Sequence, residues 1–126
     1  MKAPENWKWQ FLAEVTNIVD GDTFDVKLDR GFRDASVKRL RLHGIDTEEM
    51  NDKDPARLDR AVKARDILQE ELLNRLIILE TFRVKEEIFG KERTTFDRFE
   101  AKVIRADDGW DPVEVLKQSG LEKLPR

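Results

Sequence analysis

Asp20-Gly21-Asp22-Thr23-Phe24-Asp25-Val26-Lys27-Leu28 decides how this chain begins to fold. Phe24, Val26 and Leu28 alternate with Asp25 and Lys27, the period-two pattern of a strand with one face turned inward. Upstream, Phe11 and Ala13 alternate with Gln10, Leu12 and Glu14, and the run continues through Val15 to Val19. An Asp-Gly step between two such runs predicts a tight hairpin, because those turns use positive φ, which glycine adopts freely. Trp7 and Trp9 precede the first strand and read as aromatics capping the core. Arg30 to Ala35 is a second turn, and Val37 to Leu42 a third strand, so the chain opens as a three-stranded meander.

Beyond the meander the period changes. Asp54-Pro55 sets an N-cap before a proline at the first helical position, and Leu58, Ala61, Val62, Leu68 and Leu72 then recur at helical spacing to about Asn74. Arg57, Lys63, Arg65 and Glu70-Glu71 read as lying largely off that stripe. Leu76 to Val84 is β-rich and predicts a fourth strand, Glu86 to Thr95 a charged hairpin around Gly90, and Phe99 to Ile104 a fifth strand. Asp111-Pro112 repeats the cap-and-proline start for a short helix that Gly120 ends. The expected fold is α+β, mainly β: a five-stranded Greek-key barrel of the OB type. An amphipathic helix falls between strands 3 and 4 and a short helix follows strand 5, all in one domain spanning residues 1–126.

Composition narrows the chemistry. There is no cysteine, which excludes disulfides, thiolate catalysis and thiolate zinc sites. No apolar run approaches membrane-spanning length, and Met1 to Lys8 holds no apolar export signal, so a cytoplasmic protein without a membrane partner is expected, the alternative being a secreted form with its signal trimmed. The net charge of −3 argues against coating nucleic acid by bulk electrostatics. Arg30, Arg33, Lys38, Arg39 and Arg41 nevertheless lie close together in sequence, against Asp34 alone. Such a stripe is either a focused phosphate site or a strand edge charged against aggregation, and by itself it reads as the second.

The segment Arg41-Leu42-His43-Gly44-Ile45-Asp46-Thr47-Glu48-Glu49 is the most specific chemically. It sets an arginine on a strand and a cluster of carboxylates on the turn after it. Dense carboxylates suit a hard cation, and an arginine facing them suits a phosphate. Asp20-Gly21-Asp22-Thr23 and Phe96-Asp97-Arg98 are two further polar pieces at strand ends.

In order and spacing, these three pieces resemble the thermonuclease (staphylococcal nuclease-like) family over about Val15 to Leu121. That family carries an Asp-Gly-Asp-Thr hairpin, an Arg-x-x-x-x-Asp-Thr-Pro-Glu segment and a Tyr-Gly-Arg before the last strand. The resemblance implies a nuclease that cleaves DNA and RNA phosphodiesters at the 5′-oxygen. Asp22, Asp46 and the Thr47 carbonyl would hold one Ca²⁺, Glu49 would act on the attacking water, and Arg41 and Arg98 would grip the phosphate. Glu48, Phe96 and Asp97 stand where the family has proline, tyrosine and glycine, and Glu48 has no role in that scheme. The alternatives are a weak or inactive nuclease-like module that binds nucleic acid or protein, and a plain single-strand-binding OB barrel, which the net acidity opposes. Either a monomer or a homodimer is compatible with the sequence.

Overall fold

A computed structural model of the protein describes residues 9–81, 87–88, 91–92 and 99–125. Strand β1 (Trp9–Asp20) pairs with β2 (Thr23–Asp29), and β2 with β3 (Ala35–Leu42), both antiparallel, as the meander requires. Irregularities in β1 between Val15 and Asn17 and between Ile18 and Asp20 shift its register against β2. Such bulges bend and twist a strand, and β1 uses the bend to serve two neighbours. Its first half, Trp9 to Glu14, also pairs with β4 (Leu76–Thr81).

A short pair follows, β5 (Glu87–Ile88) with β6 (Lys91–Glu92), where the charged hairpin was expected. β7 (Phe99–Arg105) then runs antiparallel to β4 and parallel to β3. The order β1-β2-β3-β7-β4 closes on itself. The barrel is therefore the five-stranded OB-like fold read from the sequence, with two helices attached.

Inward residues fill it at every second position: Val15 on β1, Phe24 and Val26 on β2, Leu40 and Leu42 on β3, Ile77 and Leu79 on β4, Val103 on β7. Trp9, in contrast, is exposed at the start of β1 rather than capping the core, and Trp7 lies outside the described residues.

Helix α1 (Pro55–Leu72) starts as expected, with the Asp54 carboxylate accepting from the Ala56 amide at 3.0 Å. It stops two residues before Asn74, which adopts a positive φ and turns the chain into β4. Its buried face is Ala61, Ala64, Leu68 and Leu72. Leu58 and Val62 are only partly buried, so two alanines bring the helix close to the barrel. Helix α2 (Pro112–Gln118) is capped by Asp111 and buries Pro112 and Leu116, and Leu121 beyond it is buried as well. No helix among the described residues is long and apolar enough to cross a membrane.

Candidate active site

The β1–β2 turn is where α1, the barrel and the acidic turn meet. Gly21 does not have the positive φ expected of it. Its reason is room: a Cβ there would collide with Ala64 of α1 and come within 2.9 Å of Thr47 Oγ1. The neighbouring Asp22 is nearly inaccessible, and its carboxylate is fully oriented. Oδ1 accepts from the Thr23 hydroxyl at 3.0 Å, and Oδ2 from the Thr47 amide at 3.2 Å. The Asp22 carbonyl in turn accepts from the Leu42 amide at 2.8 Å, which ties the turn to the end of β3.

Arg41 stands opposite Thr23 in the β2–β3 ladder. Its Nε lies 4.0 Å from Asp22 Oδ2, and its Nη2 makes a direct ion pair with Asp46 Oδ1. The chain leaves β3 through Gly44, whose positive φ allows the sharp exit, and Ile45 is buried to anchor the turn. Met50 closes the turn by donating its amide to Asp20 Oδ1 at 3.1 Å. Thr47 is buried, and its hydroxyl has no hydrogen-bond partner among the described residues. Glu49 is exposed and its carboxylate has no partner among them either. The structure thus brings Asp22, Arg41, Asp46 and Thr47 together and sets Glu49 on the same turn. Arg98, with Phe96 and Asp97, lies outside the described residues.

In donor type the site suits a hard cation, since Asp22, Asp46 and the Thr47 carbonyl offer only oxygen. Among the described residues no group of three or more acidic, histidine or cysteine side chains could hold a metal. Both carboxylates already face one positive charge, the Arg41 guanidinium.

Three arginines of the basic stripe, Arg30, Arg39 and Arg41, are engaged by carboxylates. Arg39 donates to both oxygens of its cross-strand partner Asp25, at 2.8 and 3.2 Å, and holds that carboxyl below its ordinary pKa. Arg30 pairs with Asp34 at 2.6 Å, and Lys38 sits 5.6 Å from the centre of the Phe99 ring. Of the stripe, Arg41 is the member that reaches the acidic turn.

No protein-family model matches the chain, and no curated protein does.

Two residues of the site region were misread in the sequence, Glu48 as having no role and Arg57 as lying off the buried stripe of α1. Glu48 points inward with no accessible surface, and Arg57 Nη1 donates to its oxygens at 2.7 and 3.4 Å. Arg57 precedes Ala61 by four residues, which puts it in line with the buried face of α1. That spacing was the available signal. A groove of about 670 Å³ opens beside the site, lined among others by Arg41, His43, Asp46, Glu100 and Lys123. On its wall His43 Nδ1 lies 2.7 Å from Glu100 Oε1.

Proposed function

We propose that the protein is a Ca²⁺-dependent nuclease of the thermonuclease type, hydrolysing phosphodiester bonds of DNA and RNA at the 5′-oxygen. The observation that carries this reading is the convergence of Asp22 from the β1–β2 turn with Arg41, Asp46 and Thr47 from the end of β3 and the turn after it. A phosphodiester is an anion that repels a nucleophilic oxygen, so its charge must be offset before water can attack. Arg41 offers a planar fork to two phosphate oxygens, and the β2–β3 ladder holds its backbone in place. Asp22, Asp46 and the Thr47 carbonyl would hold Ca²⁺, which when bound supplies further positive charge at the phosphate.

Glu49 is exposed on the turn beside these groups, where its carboxylate can orient a water and accept its proton. Arg98 is the second phosphate grip by resemblance. The Arg41–Asp46 pair also favours a second reading, an inactive binding module in which the arginine stays engaged with its own carboxylate.

One experiment separates the two readings. Supercoiled plasmid and heat-denatured DNA are incubated with the protein in Ca²⁺ or in EDTA. Cleavage in Ca²⁺ alone, leaving 3′-phosphate ends, is the expected result. Retention of labelled DNA without cleavage would establish the binding module, and full cleavage in EDTA would remove the metal from the mechanism.

A further inference from the structure

Glu48 sits between Thr47 and Glu49 on the acidic turn, and its carboxylate is completely buried. A buried charge persists only with a close partner and further hydrogen bonds. Arg57 is that partner, and it does more than neutralise. The Nη1 that contacts Glu48 also donates to the Leu124 carbonyl at 2.9 Å, and Nη2 donates to the Pro125 carbonyl at 2.8 Å. One turn along α1, Arg60 Nη2 donates to the carbonyls of Gly120 and Glu122 at 2.7 and 2.6 Å. Two helix arginines therefore hold four carbonyls of the segment after α2. Between them the Lys123 amide donates to the Asp46 carbonyl at 2.8 Å.

The result is a wall of the groove beside the site. On that groove Arg41 is paired with Asp46, and Glu100 is in contact with His43 Nδ1, while Glu122 and Lys123 stand exposed. The Lys123 ammonium has no ion-pair partner among the described residues, although its backbone is bonded to a residue of the acidic turn. A lysine with a fixed base and an unengaged head, next to an arginine suited to phosphate, fits a second phosphate of the same strand.

We propose that Lys123 binds a phosphate adjoining the one gripped by Arg41. We further propose that Arg57, oriented by buried Glu48, is the positioning residue that holds Lys123 beside Asp46. The proposal rests on the reading of the substrate as nucleic acid. Lysine at position 57 keeps a charge for Glu48 but lacks the fork that reaches two carbonyls as well, so Arg57→Lys should release the wall without leaving the carboxylate unpaired.

The test uses Lys123→Ala, Arg57→Lys and the double variant. Cleavage kinetics are read in Ca²⁺, and binding of a dye-labelled single-stranded oligonucleotide is read by anisotropy in EDTA over a series of salt concentrations. Lys123→Ala should raise KM and the dissociation constant about fivefold, the upper worth of one exposed charge pair, with kcat unchanged. It should also flatten the slope of log affinity against log salt by about 0.7, the value of one single-strand phosphate contact. Arg57→Lys should reproduce both effects, and the double variant should be no worse than the poorer single one.

A purely structural Arg57 would lower the melting temperature, leave the salt slope intact and add independently to Lys123→Ala, and that pattern would overturn the positioning role. If Arg57→Lys does not fold, Arg60→Ala cuts the other staple and is read the same way. Unchanged KM and salt slope in Lys123→Ala, with the wild type cutting normally, would overturn this proposal alone. A wild type that neither binds nor cuts would overturn the nuclease reading and this one together. A wild type that binds without cutting would overturn only cleavage, and the oligonucleotide affinities would then decide.

Discussion

Glu48 and Glu49 are adjacent, chemically identical and opposite in circumstance. Glu49 faces solvent at the site, whereas Glu48 is buried against Arg57. Substitution should separate them cleanly. Glu49→Gln should lower turnover about a hundredfold, the worth of a positioned acid–base group, and leave the melting temperature alone. Arg41→Ala should lower turnover by two to three orders of magnitude, about the loss of one charge-stabilising donor. Steady-state kinetics together with thermal melts check both, and a folded Arg41→Ala with normal turnover would refute the phosphate grip. Gly21 presents a steric question instead. Gly21→Ala should lower stability by about 1–3 kcal/mol, as overpacking of a closed contact does, because its Cβ would overlap Ala64. The double variant Gly21→Ala, Ala64→Gly should regain part of that loss in denaturant titrations. If positive φ were the reason for the glycine, the second substitution would recover nothing.

At the scale of elements, β2 and β3 are joined by more than their ladder. Asp25 and Arg39 face each other across it, and the guanidinium hydrogen bonds keep the carboxyl below its ordinary pKa. The same direction holds for Asp108, pulled down first by its hydrogen bond to Arg105, the last residue of β7. A carboxyl whose folded pKa is depressed contributes stability above its unfolded pKa, near 4, and loses that contribution as pH falls through the lower folded value. Melting temperature should therefore be insensitive to these pairs from neutral pH down to about 5, where both carboxylates are charged in either state. It should decline below that. Asp25→Asn should show a lower melting temperature at pH 7 and a shallower decline under acid than the wild type. Parallel acid profiles for the two proteins would show that the pair is electrostatically idle.

The whole molecule should respond to the ion that the site is proposed to hold. A ligand bound by the folded state alone stabilises it by about 2.7 kcal/mol at a hundred times its dissociation constant. Ca²⁺ should accordingly raise the melting temperature, EDTA should reverse the rise, and Asp22→Asn should abolish it. Mg²⁺ should raise it less, since it demands near-octahedral geometry and gives up its waters reluctantly. Equal melting temperatures in Ca²⁺ and EDTA would count decisively against the metal assignment.

The alternation around Asp20-Gly21-Asp22, the two Asp-Pro helix starts and the order of the strands were all legible in the sequence, because periodicity and capping are local properties. So was the set Asp22, Arg41, Asp46, Thr47 and Glu49 as a candidate constellation, through its resemblance to a known pattern. Only the tertiary structure decided why Gly21 is glycine, that Arg39 is neutralised by Asp25, and that Glu48 is buried rather than loose beside the site. Each of those depends on segments brought together from a distance, and Arg57 meets the Leu124 carbonyl across 67 residues of chain. A charged side chain in a polar turn is indistinguishable, in sequence, from one that a helix and a distant segment will enclose. Its environment is set by packing, and packing belongs to the closed barrel as a whole.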